Sequence, residues 1–266
     1  MTLQSIEAEV ISLIGVHYLR LKTGDGGDLY LTRFGLPFRE QLAPNNWYAP
    51  DWFAARRTPL VGTSAIYKVP TKPVRGVSLN LVVRFSRVGQ EVPLDTLTRY
   101  ENIHTEFNSP FEEFALVMEL RQASIGASRP RIFTKKPLAI HVPAEQLEQW
   151  QAGRLGSKMA AKLARQPEVE LDMLRPYLLL YGWIEGLNAV QAVHSFGVSG
   201  SAAETFLSEM TLRAVHELKQ NGFRMADIKP EHIVLRIRPD GSLLRRRGGN
   251  PAYAVVDYEL LERFGN

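Results

Sequence analysis

The chain has no cysteine. Disulfides, thiolate metal sites and cysteine nucleophiles are therefore all excluded. Long apolar runs are missing too: no purely apolar stretch exceeds five residues, as in Tyr177 to Tyr181, against the roughly 20 a membrane helix needs. No membrane association is expected. The first residues, Met1 to Glu7, lack a basic segment followed by an apolar one, so no export signal is read there and the cytoplasm is the expected compartment. Charge of one sign is only modestly in excess, with 32 Lys and Arg against 28 Asp and Glu, a formal charge of +4 and a pI near 9.3. Because the surplus arginines are spread along the chain, a nucleic-acid partner would rest on net charge alone. What is present is an ordinary globular composition, 266 residues with 45% hydrophobic and 23% charged, enough for one sizeable core or two modest lobes.

The densest chemistry lies near the C-terminal end. Asp227-Ile228-Lys229-Pro230-Glu231-His232-Ile233-Val234-Leu235 is followed by Ala254-Val255-Val256-Asp257-Tyr258-Glu259, which sets carboxylates beside apolar strand-like segments. Two such carboxylates and a nearby lysine suit metal-assisted phosphoryl transfer. One carboxylate orients the attacking hydroxyl, the lysine offsets phosphoryl charge, and the second carboxylate holds magnesium. The bland alternative is that Asp227 caps a turn and Asp257 ends a strand, since aspartate is common at both places. The intervening hairpin, Ile233 to Arg238, a Pro239-Asp240-Gly241 turn and Ala252 to Val256, is what joins the two.

With Leu212 to Phe223 read as a helix and turn ahead of it, this region resembles the protein-kinase superfamily, whose loop pattern is H-R-D-x-K-P-x-N. Met225-Ala226-Asp227-Ile228-Lys229-Pro230-Glu231-His232 matches its Asp, Lys and Pro and departs at His, Arg and Asn. The resemblance implies ATP and Mg2+ as cofactors, with Asp227 and Lys229 catalytic and Asp257 and His232 at the metal. It implies a hydroxyl acceptor on a protein Ser/Thr or on a small molecule. The lysine two residues after the aspartate tilts that choice towards protein. Histidine replaces an oxygen ligand, and imidazole serves hard magnesium poorly; hydrogen bonding to Asp227 or donation to phosphate are its other uses. Glu259 stands where the family has glycine and is read as a surface pair, with help at the metal as the alternative.

The same resemblance orders the upstream segments. Val61-Gly62-Thr63-Ser64-Ala65-Ile66-Tyr67-Lys68-Val69 occupies the place of the phosphate-covering turn and its second strand, with Gly62 the one glycine retained. Leu79 to Ser86 occupies the place of the strand whose lysine holds phosphate, which puts Arg84 at that position. Arginine keeps the charge on a bulkier planar head. Lys68, at even spacing from Ile66, shares that residue's strand face. Pro110 and Ser109 suit a helix start. In that helix Glu113 has Leu116, Val117 and Leu120 at plus three, four and seven, which places it beside the buried stripe as Arg84's partner. Gly182, Trp183, Ile184 and Glu185, after the Tyr177 to Tyr181 strand, are the implied adenine-lining hinge.

The expected architecture is α+β: a β-rich extension over 1–57, a kinase-like antiparallel-sheet N-lobe and hinge over 58–186, and a partial helical C-lobe over 187–266. Within these, residues 7–34 read as one β-hairpin around Thr23 to Asp28, and aromatic-rich residues 35–57 read as an anchor on a neighbouring surface. Residues 131–134 and 138–142 read as a strand pair, followed by a helix from Pro143 broken near Gly153 and Gly156. Ser201 to Glu204 reads as a capping box opening a core helix with Phe206, Met210, Ala214 and Leu218 on its stripe. The Arg245-Arg246-Arg247 run reads as solvated, or as a dock for an acidic partner. Seven residues after Glu259 leave no room for the family's activation segment and large helices, so truncation of a longer chain is the expectation. The competing functional class is a pseudokinase, a module that binds nucleotide or a regulatory protein partner without moving phosphate.

Overall fold

The computed structural model describes residues 8–62, 64–93, 105–123, 130–246 and 248–264. It is a mixed α/β chain in two compact units. The first draws on 1–94, 106–115 and 136–183, and the second on 95–105, 116–135 and 184–266. Thr63 of the glycine turn and Arg247 of the basic run lie outside the described residues.

The first unit is built on an eight-stranded sheet in the order β1-β2-β3-β8-β9-β6-β5-β4. These strands are β1 (Ala8–Leu13), β2 (Val16–Lys22), β3 (Asp28–Leu31), β4 (Thr58–Pro59), β5 (Ile66–Pro70), β6 (Asn80–Phe85), β8 (Pro137–Val142) and β9 (Leu178–Gly182). Every neighbouring pair is antiparallel. The single hairpin expected over 7–34 is in fact two. Ile14 and Gly15 both take positive φ, 47° and 72°, in a two-residue turn between β1 and β2, a geometry that matches strand twist. The second turn closes with Thr23 N–H donating to Gly27 O at 3.0 Å. The described part of 1–57 thus shares one sheet with strands from 58–186.

Side-chain alternation gives this sheet two distinct faces. Leu81 and Val83 of β6, Val69 of β5 and Leu178 and Leu180 of β9 join a core with Leu42, Trp47 and Phe53. The latter three belong to the aromatic segment, which holds two short 3-10 turns and helix α1 (Pro50–Arg56). Trp47 is fully buried, and its indole N–H donates to Leu42 O at 2.9 Å, so its polar atom is satisfied inside an apolar layer. Gly35 permits the close approach of this segment, since a Cβ there would lie 2.1 Å from Leu138 O.

His141 of β8 sits beside that layer, edge-on to Trp47 and Tyr48. Its Nδ1 lies 3.2 Å from Asp28 O, and its buried Nε2 has no partner. Burial pushes its pKa down from 6.5 to about 4, against smaller opposing effects of Asp25 and Asp28, with Arg175 adding to the depression. A histidine whose folded pKa is depressed contributes stability that is complete above its unfolded value and is lost as pH falls through the interval from 6.5 to 4. The first unit is therefore expected to lose about 2–3 kcal/mol between pH 7 and pH 4.5 from this group. Urea unfolding at the two pH values checks this, and His141→Phe should remove most of the difference.

Helix α2 (Pro110–Ala123) begins as the sequence suggests. Ser109 Oγ accepts from Glu112 N–H at 3.2 Å, and Ser109 N–H donates to the Glu112 carboxylate at 3.1 Å, a reciprocal cap. The expected helix from Pro143 is instead α3 (Gln149–Ala152), with Glu148 and Gln151 making its capping box and Gly153 in the left-handed region at φ 60° ending it. Helix α4 (Gly156–Arg165) follows.

The second unit holds a four-stranded sheet in the order β10-β12-β13-β7, a two-stranded β11-β14 ribbon, the C-terminal part of α2 and the two helices that follow β10. Its strands are β7 (Phe133–Thr134), β10 (Leu187–Asn188), β11 (Phe223–Met225), β12 (Ile233–Leu235), β13 (Tyr253–Val255) and β14 (Leu261–Arg263). Here the expected 131–134/138–142 strand pair is corrected. β7 runs parallel to β13, whereas β8 pairs with β3 and β9 in the other sheet. Only Lys135 and Lys136 separate β7 from β8, and neither favours the positive φ of a two-residue hairpin turn.

Helix α5 (Ala189–Ser195) is capped by the Asn188 and Gln191 side chains. Helix α6 (Gly200–Gln220) carries Met210, Ala214 and Leu218 buried on one stripe, with Phe206 half-buried. The capping box proposed at Ser201 is not formed. Ser199 takes the cap position without a side-chain bond, and Ser201 lies in the first turn, where its C=O accepts from Thr205 Oγ1 at 2.8 Å. Gly186 precedes β10, where a Cβ would lie 2.1 Å from Leu235 O. Among the described residues no helix is long and apolar enough to cross a membrane.

Candidate functional site

Four of the residues singled out by sequence lie in the second unit, in two side-chain contacts. Asp227 leaves the end of β11, where Ala226 N–H donates to Leu260 O at 3.3 Å. Two residues on, Lys229 places its Nζ 3.2 Å from Asp227 Oδ2, with both side chains more than a third exposed. Pro230 then opens a short 3-10 turn, Pro230–His232, in which His232 N–H donates to Lys229 O at 2.9 Å. Proline suits this first position because its φ is already set and its missing N–H has no partner to lose.

The turn delivers the chain into β12, and the β12–β13 ladder pairs Ile233 with Val255 and Leu235 with Tyr253. One step beyond the ladder, Val256 N–H donates to His232 O at 3.0 Å. That extra bond brings Asp257 opposite His232, whose Nε2 lies 3.4 Å from Asp257 Oδ2. His232 Nδ1 is buried with no partner, while Asp257 Oδ1 accepts from Glu259 N–H at 3.4 Å. The loop residues thus form two contacting acid–base pairs, Asp227 with Lys229 and Asp257 with His232, linked through the His232 backbone. Among the described residues no three His, Asp or Glu side chains converge in the manner of a metal cage.

Two polar groups that sequence reasoning missed hold this region in place. Tyr258 is buried, its hydroxyl donating to Val255 O and accepting from Lys135 N–H at 2.7 Å. Tyr258→Phe leaves a buried N–H without that acceptor and is expected to cost about 1–3 kcal/mol, read as a lower urea midpoint at pH 7. Glu217 of α6 takes Arg246 on both carboxylate oxygens and the Tyr253 hydroxyl at 2.7 Å. Burial, and then Glu217, push the Tyr253 phenol pKa up. A basic run followed by tyrosine near a helical glutamate is the signal available for the second of these; Arg246 is tied down, not solvated. Glu259, expected on the surface, is also buried.

The remaining candidates belong to the first unit, apart from Ile184 and Glu185. Arg84 of β6 is 4% exposed and forms an ion pair with Glu113 of α2, itself 1% exposed. The second Glu113 oxygen accepts from the hydroxyl of Tyr181 on β9. Register explains the meeting: Arg84 stands opposite Leu179 and Val82 opposite Tyr181, so arginine and tyrosine point to one sheet face, where Phe114 of α2 packs 5.1 Å from the Tyr181 ring. Gly62 is exposed in the turn before β5. After β9, Gly182 N–H donates to Lys136 O and Trp183 N–H to Asn80 O, each at 3.0 Å. Ile184 is half-buried and Glu185 exposed.

No protein-family model matches the chain, and no curated protein matches it in sequence. Among solved structures it is similar to the BubR1 kinase domain, at 9% identity and a TM-score of 0.42 over 92% of this chain. It spans about half, 50%, of that chain's length.

Proposed function

We propose that this chain performs ATP- and magnesium-dependent phosphoryl transfer to a hydroxyl, with a protein Ser/Thr the favoured acceptor. The observation that carries the reading is the pairing of Asp227 with Lys229 on the same loop that sets Asp257 against His232. Asp227 orients the acceptor hydroxyl and takes its proton, and the adjacent ammonium of Lys229 offsets charge on the moving group. The donor set fits one magnesium ion. Asp257 supplies a hard oxygen, and magnesium is commonly held by one or two carboxylates together with substrate phosphates and water. His232, with Nε2 already at Oδ2 of Asp257, would orient that carboxylate. Bound magnesium would neutralise phosphate charge. The Glu113 carboxylate fixes Arg84, and Gly62, Gly182, Trp183, Ile184 and Glu185 are the proposed nucleotide-binding residues.

A second reading, a pseudokinase with a regulatory partner in the cytoplasm, is favoured by two observations. An imidazole contacts Asp257 where the resemblance calls for an oxygen ligand, and the Arg84 guanidinium is buried against Glu113. Thermal shift with ATP, with and without Mg2+, followed by γ-phosphoryl transfer to mixed peptide and small-molecule hydroxyls, separates the two. A magnesium-dependent shift with turnover supports the enzyme, and a shift without turnover supports the module. No shift with either nucleotide or metal removes both.

A further inference from the structure

The eight-stranded sheet of the first unit ends in two unlike edges. At one end β4 is only Thr58–Pro59, a short strand with a missing donor, which discourages further pairing. At the other end β1, Ala8–Leu13, contains no proline, lysine or arginine, and among the described residues β2 is its one neighbour in the sheet. Ala8, Glu9, Val10 and Ser12 are exposed, Val10 to 75%. We infer that this edge is a dimer interface, on which β1 of a second copy of the chain pairs antiparallel about Val10.

Turn geometry decides which backbone groups of β1 point outward. Ile14 and Gly15 form a two-residue turn, so Leu13 and Val16 are the pair that exchanges hydrogen bonds beside it. Bonded and non-bonded pairs alternate along an antiparallel ladder. Leu13, Ile11 and Glu9 therefore bond inward, to Val16, Tyr18 and Arg20, and the N–H and C=O groups of Ala8, Val10 and Ser12 point away from β2. An antiparallel copy bonds these groups only where outward residues face one another. With Val10 opposite its own copy, Ala8 faces Ser12 and Ser12 faces Ala8, so every outward residue is bonded. Moving the axis to Glu9 would set two carboxylates directly opposite, a repulsive pair. Moving it to Ile11 would set Ala8 against Ile14, whose φ of 47° takes it out of strand geometry. In the Val10 register Glu9 lies across from Ile11 and keeps Arg20 of its own copy at 3.8 Å, while the two Val10 side chains leave water for each other. An interface of one strand is small, so the dissociation constant is expected on the order of 10–1000 µM.

Sedimentation velocity of the full chain, from about 5 µM to about 1 mM, should show mass moving from monomer to dimer and no further, since a two-fold strand pairing closes on itself. Val10→Pro deletes the central donor, whose N–H faces solvent in the monomer where an edge strand tolerates proline; the dissociation constant should rise at least about tenfold. Val10→Lys keeps the backbone donor but sets like charges directly opposite, and should weaken the dimer to a similar degree, with partial recovery in high salt. Because the chain has no cysteine, cross-linking reads the register. Val10→Cys should oxidise to a disulfide-linked dimer, as directly opposed Cα atoms lie about 5.5 Å apart. Ser12→Cys should not, its copy lying roughly 13 Å along the partner strand. A monomer at every concentration, mass growing beyond the dimer, native dimerisation in both Val10→Pro and Val10→Lys, or cross-linking of Ser12→Cys as fast as of Val10→Cys would each overturn the inference.

Discussion

Replacing Asp227 by asparagine is expected to lower turnover about 10²–10⁴-fold, the usual contribution of a positioned proton acceptor. Asparagine preserves the size and keeps an oxygen near Lys229, whose Nζ lies 3.2 Å from the native carboxylate. It cannot take the acceptor's proton. ATP affinity should therefore stay close to native, and the loss should fall on kcat, which is the pattern of an interaction made at the transition state. Because both side chains are more than a third exposed, the exchange should barely move the urea midpoint. Single-turnover phosphoryl transfer at saturating ATP measures it. Turnover within threefold of native would remove Asp227 from the proposed mechanism.

Glu113→Ala is expected to destabilise the first unit by about 3–5 kcal/mol, because truncation breaks the buried ion pair between Glu113 and Arg84. The exposure of the pair, 4% and 1%, rules out rescue by bulk water. The Tyr181 hydroxyl loses its acceptor in the same step. Replacing these three side chains by apolar groups of similar volume, as in Arg84→Met with Glu113→Leu and Tyr181→Phe, should recover part of that loss, since a buried ion pair is seldom worth more than good packing. Urea unfolding of the single and triple variants compares the two. If Glu113→Ala matches the native midpoint, the buried network contributes nothing to stability.

Local periodicity carried part of this arrangement and long-range pairing carried the rest. Glu113 could be told apart from Glu112 and Glu119 because Leu116, Val117 and Leu120, all buried, mark the inward stripe. Glu119 faces outward and pairs with Arg263. The β12–β13 pairing followed from its apolar runs, whereas the Pro239-Asp240-Gly241 turn closes a local bridge between Ile237 and Leu243 within their connection. By contrast, the Ile14-Gly15 turn escaped notice because a β-branched residue at positive φ is rare. The separation of β7 from β8 into different sheets depends on partners more than a hundred residues away, such as the β3–β8 and β13–β7 ladders, and no local pattern encodes those. Tyr181 and Tyr258 looked like ordinary strand and core aromatics; only their hydroxyl partners, contributed by distant segments, give them a positioning role.

The β13 strand has neighbours on both sides, β12 in one direction and β7 in the other, and Tyr258 adds a further tether just past its end. Asp257 is consequently anchored by an interior strand, whereas Asp227 hangs from a two-stranded ribbon and an exposed ion pair. The two carboxylates therefore differ in stiffness: one offers a fixed datum and the other can yield to the shape of whatever approaches it. In the proposed transfer reaction, such a pair would accept hydroxyls of varied shape while the charge-holding carboxylate stays in place.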